Sequence, residues 1–234
     1  MERSGAVLRK QKDSPPRTPR ESGAPRHPAL ALLEYESVAI GIRAADAIVK
    51  RAPIALLKSG TVHPGHYLVL IAGSVASVTE SHATGVEAGD GRLLDDVLLP
   101  DAHEEVTSAC LGERRPLERE ALGVLETRTV ATLLRAADAA VKGTAVRISE
   151  IRLADGLGGR AFVLFDGIVA DVEAALEIGC ARVPYDRLVT CTLMPRLDAT
   201  VRMALNGGTR FGACYPLTPA GAEAAESLGF GDDG

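Results

Sequence analysis

The sequence repeats itself, and that fact limits the fold more than any local motif does. The run Ala29-Leu30-Ala31-Leu32-Leu33-Glu34 returns as Ala121-Leu122-Gly123-Val124-Leu125-Glu126, shifted by 92 positions. At the same shift Arg43 to Lys50 returns as Arg135 to Lys142, and 13 of the 22 positions between 29 and 50 are identical. Further on, Gly65, Gly73, Val75 and Val78 match Gly159, Gly167, Val169 and Val172 at a shift of 94, which places a two-residue insertion around residues 151–159. The chain is two tandem copies of one domain.

Each copy carries the same order of elements. Ala29 to Tyr35 is a short apolar run suited to a buried strand. Ser37 can cap the next segment, whose Val38, Ile42, Ala45 and Val49 share one helical face, and Pro53 ends it. Ile54 to Leu57 and Tyr67 to Ala72 read as strands around a Gly60–Gly65 loop rich in turn residues. A second helix over about 74–86 and a strand from Leu93 to Leu99 complete the copy. The second copy reads as strand 121–127, helix 130–142, strands 145–153 and 160–166, helix 168–179 and strand 187–194, with a short closing helix over 197–205. The pattern predicts an α/β (α+β) fold of two ferredoxin-like β-α-β-β-α-β units, each with helices on one sheet face.

The expected organisation is a disordered basic tail over 1–28, a first domain over 29–112, and a charged, exposed linker over 113–120. A second domain spans 121–205 and a flexible tail 206–234. The first tail carries seven Lys or Arg against three acids, yet the whole chain has a net charge of −5. With no basic stripe outside the tail and only eight aromatic residues, a nucleic-acid partner is not expected. The longest apolar stretch, Tyr67 to Ala72, is far too short for a membrane span, and no signal-peptide pattern opens the sequence. A cytoplasmic location follows as an expectation. Cys110, Cys180, Cys191 and Cys214 form no C-x-x-C pair and read as four mostly buried thiols. No nucleophile–base pair or cofactor fingerprint stands out, so no enzyme activity is expected.

The residues that recur also carry a resemblance. "ALGVLETRTVATLLRAADAAVKGTAV", "GGRAFVLFDGIVADVEAALEIG" and "LVTCTLMPRLD" are similar in order to the bacterial microcompartment shell domain. "ALALLEYESVAIGIRAADAIVKRAPIALL", "GHYLVLIAGSVASVTESHATG" and "LLPDAH" repeat the match, which covers nearly all of residues 29–203. Two copies in this order resemble the tandem-domain shell proteins, most closely the propanediol-utilisation type. The resemblance implies a homotrimer shaped like a hexagon that tiles with hexameric and pentameric shell proteins around enzymes the sequence does not identify. It implies a structural role, with metabolites passing a central pore.

The resemblance also assigns residues. Val62, His63, Pro64 and Gly65 of the first copy, and Asp155, Gly156, Leu157, Gly158 and Gly159 of the second, would line the axis. Lys50, Lys142 and Arg196 would meet neighbouring tiles, while Asp101 stands where the first copy would have its edge arginine. Some members of the family hold a [4Fe–4S] cluster on the threefold axis through a Cys at the position of His63. Thiolates are the usual ligands of such clusters, so no cluster is expected here, and no other cofactor is. Three His63 rings could instead offer a His₃ metal site, which leaves a pore-borne metal or redox module as the alternative reading. Asp46 and Asp138 are expected on exposed helical faces. The Gly-rich run at 156–159 leads into a strand, unlike a phosphate-binding loop, and reads as backbone freedom at the axis.

Overall fold

The computed structural model describes residues 28–221. The expected basic tail therefore lies outside the described residues except for Pro28, as does the end of the chain beyond residue 221. The first copy runs β1 (Ala29–Tyr35), α1 (Val38–Arg51), β2 (Leu56–Val62), β3 (His66–Gly73), α2 (Val75–Ala88), β4 (Leu93–Leu99) and α3 (Glu104–Cys110). The second runs β5 (Ala121–Thr127), α4 (Val130–Gly143), β6 (Arg147–Leu153), β7 (Ala161–Gly167), α5 (Val169–Cys180), β8 (Leu188–Met194) and α6 (Ala199–Gly207). Both sheets are antiparallel, with the orders β2-β3-β1-β4 and β6-β7-β5-β8. These are the two ferredoxin-like units expected from the repeat.

Strand alternation divides each sheet into two faces. In the first, Ala29, Ala31, Leu33 and Tyr35 pack with Ala44, Ile48 and Val78 of α1 and α2. The opposite face, with Leu30, Leu32, Leu68 and Leu70, joins one continuous core with Val106 of α3 and Leu133, Leu134, Ala136 and Ala137 of α4. Helix α4 therefore lies between the two sheets. Ten of its fourteen residues are buried, against four of fourteen in α1, its counterpart. Its Ala-rich run allows this, because small side chains let both sheets come close.

Several boundaries differ from the sequence reading. Residues 60–62 belong to β2, and the turn shrinks to residues 63–65. Helix α3 has no counterpart in the sequence reading, being only two turns long. The linker is fastened along the second sheet: Arg115 N–H donates to the Ser149 carbonyl (2.9 Å), and Glu118 and Arg119 N–H donate to the Asp166 carboxylate (3.2 and 3.0 Å). Leu117 within it is buried. The start of the last segment is also tied down, with Thr209 Oγ1 donating to Glu150 Oε1 (2.9 Å) and Arg210 pairing with Asp155 (2.8 Å). Of the four cysteines only Cys110 is buried; Cys180 is half-buried, and Cys191 and Cys214 are exposed. Cys191 sits on β8, an edge strand of its sheet that no other strand among the described residues pairs with on its outward side.

Gly41 shows how closely α1 approaches its sheet. A Cβ at this position would lie 2.5 Å from Tyr67 Cβ, an atom tied directly to the backbone of β3. Gly41→Ala must push the helix off the sheet, and it is expected to cost about 1–3 kcal/mol in urea unfolding. An unchanged midpoint would show that α1 is not held at this distance.

Candidate functional site

Two places concentrate the chemistry: the junction where α4 meets the first domain, and the pair of loops beside it. A helix begins with amide groups that have no partner inside the helix. In α1, Ser37 Oγ accepts from Ile40 N–H (3.5 Å). In α4 the capping residue Thr129 supplies no such bond, and the first domain supplies the acceptors instead. Val130 N–H donates to Glu34 Oε2 (3.0 Å), and Thr132 N–H donates to Asp95 Oδ2 (3.1 Å). Both carboxylates sit at the positive end of the helix dipole, where negative charge is favoured.

Asp95 is the hub. Its Oδ2 also accepts from Thr129 Oγ1 (2.5 Å) and Thr132 Oγ1 (2.7 Å), and it pairs with Arg187 Nη1 (2.5 Å). Burial pushes its carboxyl up, but the hydrogen bonds from Thr129, Thr132 and Arg187 outweigh burial and hold it below the usual aspartate range. Glu34 is fully buried near the end of β1, and burial raises its pKa against the opposing bonds from Val130 N–H and His66. His66 Nδ1 lies 3.0 Å from Glu34 Oε1. Arg187 Nη2 reaches the Leu94 carbonyl (3.3 Å) and Arg135 the Asp96 carbonyl (2.8 Å).

The clamp on His66 leads directly to the loops. The β2–β3 turn is closed by Gly65 N–H donating to the Val62 carbonyl (2.9 Å), with His63, Pro64 and Gly65 exposed. Val62 itself is half-buried and packs against the core shared by the two domains. The β6–β7 loop holds Asp155, Gly156, Leu157, Gly158 and Gly159, and the two-residue insertion falls within it. A Cβ at Gly159 would stand 3.3 Å from Pro64 Cδ and 3.4 Å from His66 Cε1, at a φ of +87°. The two loops therefore touch, and glycine is the residue that suits both the approach and the backbone there. Asp155 is exposed, and its bond to Arg210 holds its carboxyl below the usual range.

The remaining sites fall as follows. Lys50 is exposed and pairs with Asp46 (2.6 Å). Lys142 pairs with Asp138 (2.7 Å) and donates to the Asp101 carbonyl, which ties it to the first domain. Asp138 is buried, contrary to the exposed face expected for it, because the first domain covers α4 there; its Oδ1 accepts from His103 N–H (2.8 Å). A hollow of about 500 Å³ opens beside it, lined by Leu99, Ile178, Arg135, Lys142 and Arg182. Arg196 is exposed. The β2–β3 turn offers an imidazole and no thiol, so it does not fit the thiolate set of an iron–sulfur cluster. The sequence reading missed Glu34 and Asp95. A signal was present for the first: a charged residue inside an apolar strand, repeated as Glu126.

The geometry describes a domain built to abut a copy of itself, and comparison with known proteins agrees. Residues 29–102 and 121–197 each match the BMC domain family. The chain belongs to that family, carries its domain twice in tandem, and is a bacterial microcompartment shell protein. It is 37% identical over 150 residues to the bacterial microcompartment shell protein PduT of Citrobacter freundii, covering 64% of this chain and 82% of that one. The carboxysome assembly protein CcmO of Synechocystis is 26% identical over 190 residues; the match takes in 74% of this chain and 63% of CcmO, under two thirds of its length. The crystal structure of a microcompartment protein from Desulfitobacterium hafniense DCB superposes with a TM-score of 0.67 at 37% identity, covering 75% of this chain and 98% of that one. No helix among the described residues is long and apolar enough to cross a membrane.

Removing the hub should loosen the junction. Asp95→Asn is expected to cost about 2–3 kcal/mol at pH 7, since it strands Arg187 and one of the threonine donors. The folded pKa of Asp95 lies below its unfolded value. Its contribution is therefore present above the ordinary aspartate pKa and disappears as pH falls through the folded value. The gap between wild type and variant in urea unfolding should narrow below about pH 4. A gap that stays constant down to pH 2 would remove Asp95 from this role.

Proposed function

We propose that three copies of this chain close into a hexagon-shaped shell tile, with the two loop types around a central pore that passes metabolites. The observation that carries this reading is a mismatch between equivalent positions. Ile42 and Val49 of α1 are 53% and 44% exposed, whereas their counterparts Leu134 and Val141 in α4 are 0% and 6% exposed under the first sheet. The strand β4 is covered by α4, while its counterpart β8 leaves Thr190, Cys191 and Thr192 exposed. Helix α3 covers β6, while α6 leaves Val201 and Met203 exposed and β2 leaves Leu57 exposed.

Each chain thus has one satisfied junction and the two complementary halves of another. A head-to-tail contact of this kind gives a closed ring when the rotation per step divides a full turn, and an open filament otherwise. The resemblance to shell domains implies a ring of six wedges, so two wedges per chain need three chains. Ring closure brings His63 and Asp155 of each copy toward the axis, and it leaves Lys50, Lys142 and Arg196 on the rim for contact with other tiles. The protein's work is recognition and passage, with no chemistry on a substrate and no resident metal.

Light scattering is expected to give three times the 24.5 kDa chain mass. Ile42→Asp should give folded monomers, because burying each such aliphatic side chain is worth about 1.5–3 kcal/mol. A wild-type monomer would overturn the trimer. The double change Lys50→Ala and Arg196→Ala should abolish extended sheets in electron micrographs while leaving the trimer intact. Elemental analysis should find no stoichiometric metal, and the same result in His63→Ala; one metal per trimer, lost in that variant, would instead favour the metal-bearing pore.

A further inference from the structure

Strand β8 carries a group that the shell role does not use. Cys191 pairs in register with Leu125, on the sheet face turned toward α4 and α5. The C-terminal turn of α5 packs on that same residue, and a Cβ at Gly179 would lie 3.2 Å from Leu125 Cδ2. This places Cys180, the last residue of α5, beside Cys191, near enough that Cys191 helps to raise its pKa. Both are reduced; Cys191 is exposed and Cys180 half-buried. The other two cysteines do not join them: Cys110 is buried at the end of α3, over β6 at the opposite edge of the second sheet, and Cys214 donates to the Gly208 and Arg210 carbonyls.

We propose that Cys180 and Cys191 form a reversible dithiol–disulfide site that responds to a low-molecular-weight disulfide such as oxidised glutathione. The exposed Cys191 thiolate attacks one sulfur of that disulfide, forming a mixed disulfide and releasing one thiol. Cys180 loses its proton to solvent and attacks the Cys191 sulfur, and the second thiol leaves. Two protein thiols are oxidised and one small disulfide is reduced to two thiols. Cys191 is exposed and Cys180 half-buried, so Cys191 is the one an oxidant meets first and Cys180 is the resolving partner; burial also raises the Cys180 thiol's pKa.

The location gives the site its consequence, and this part rests on the trimer reading. In the junction within the chain, Arg135 of α4 donates to the carbonyl of Asp96, the residue of β4 equivalent to Cys191. The same contact across the open seam would bring Arg43 of a neighbouring copy to the Cys191 carbonyl. Access survives that docking, because the Asp96 side chain remains 36% exposed with α4 in place. A disulfide here ties the strand that receives the neighbour to the helix behind it. The oxidised edge is held in its docking shape, and oxidised trimers should dissociate less on dilution.

Native protein equilibrated with oxidised and reduced glutathione tests this by intact mass and peptide mapping. The expected product has lost two hydrogens and two alkylatable thiols, carries a 180–191 cross-link and bears no glutathione at either residue. Cys180→Ser should stop at one glutathione on Cys191, and Cys214→Ser should behave as wild type. A wild-type protein that keeps glutathione on Cys191 without forming the cross-link would overturn the site. Size measured on the reduced and oxidised forms separates the two readings. A monomer in both, with the cross-link formed, would sink the trimer and leave the disulfide standing. Equal dissociation on dilution of reduced and oxidised trimers would remove the link to the seam.

Discussion

The structure turns on the first turn of α4. A helix placed between two sheets cannot leave its leading amides to water, and its own capping residue does not serve them. The first domain does, through Glu34 and Asp95, and so the two copies become one body rather than two units on a tether. Burying Glu34 is costly, as its raised pKa records, and Val130 N–H and His66 offset that cost. The same His66 is the first residue of β3, directly after the exposed turn. One buried carboxylate therefore holds both the helix that joins the domains and the loop that would face the axis.

The two copies have diverged most where this arrangement would be used a second time. Glu126 keeps the place of Glu34 and pairs with Arg160 (3.4 Å) where the first copy has His66. Thr190 stands where Asp95 is, so the open seam has the cap but lacks the hub. Within the chain, the tether holds the partners at high effective concentration, and polar bonds that need accurate placement can form there. On the proposed trimer the seam must form at the concentration of free chains. It relies on Ile42, Val49, Val201 and Met203, whose burial is tolerant of small errors in register.

The repeat made most of the fold legible, because a shift of 92, and of 94 after the two-residue insertion, carries the elements of one copy onto the other. Where the reading failed, the cause was an environment that one copy has and the other lacks. The sequence reads β2 short because Lys58, Ser59 and Thr61 are polar and its surface is open, while β6 keeps Ile148 and Ile151 under α3 and is legible over its whole length. Asp46 and Asp138 occupy equivalent positions and are both expected in solvent; only Asp46 is exposed, and nothing local in the sequence distinguishes the two. Periodicity reports which side of a helix is apolar; it does not report that a second sheet will cover the other side. The adjacency of the two loops followed from the family resemblance, whereas the Glu34–His66 clamp behind them is a contact across 32 residues with no sequence pattern of its own.

Fusion also explains why the two loops can differ. In a ring of identical wedges every loop at the axis is the same, and any change is made six times. Here the turn between β2 and β3 has three residues and the loop between β6 and β7 has seven. The longer loop gains room because Gly156, Gly158 and Gly159 adopt positive φ, and it is braced from behind by Arg152 and Arg210. The shorter one is fixed by the Glu34 clamp and has little freedom to change. A pore built from both would alternate a rigid lip bearing His63 with a longer lip bearing Asp155. Only the second can be altered in length without disturbing the contact that holds the domains together.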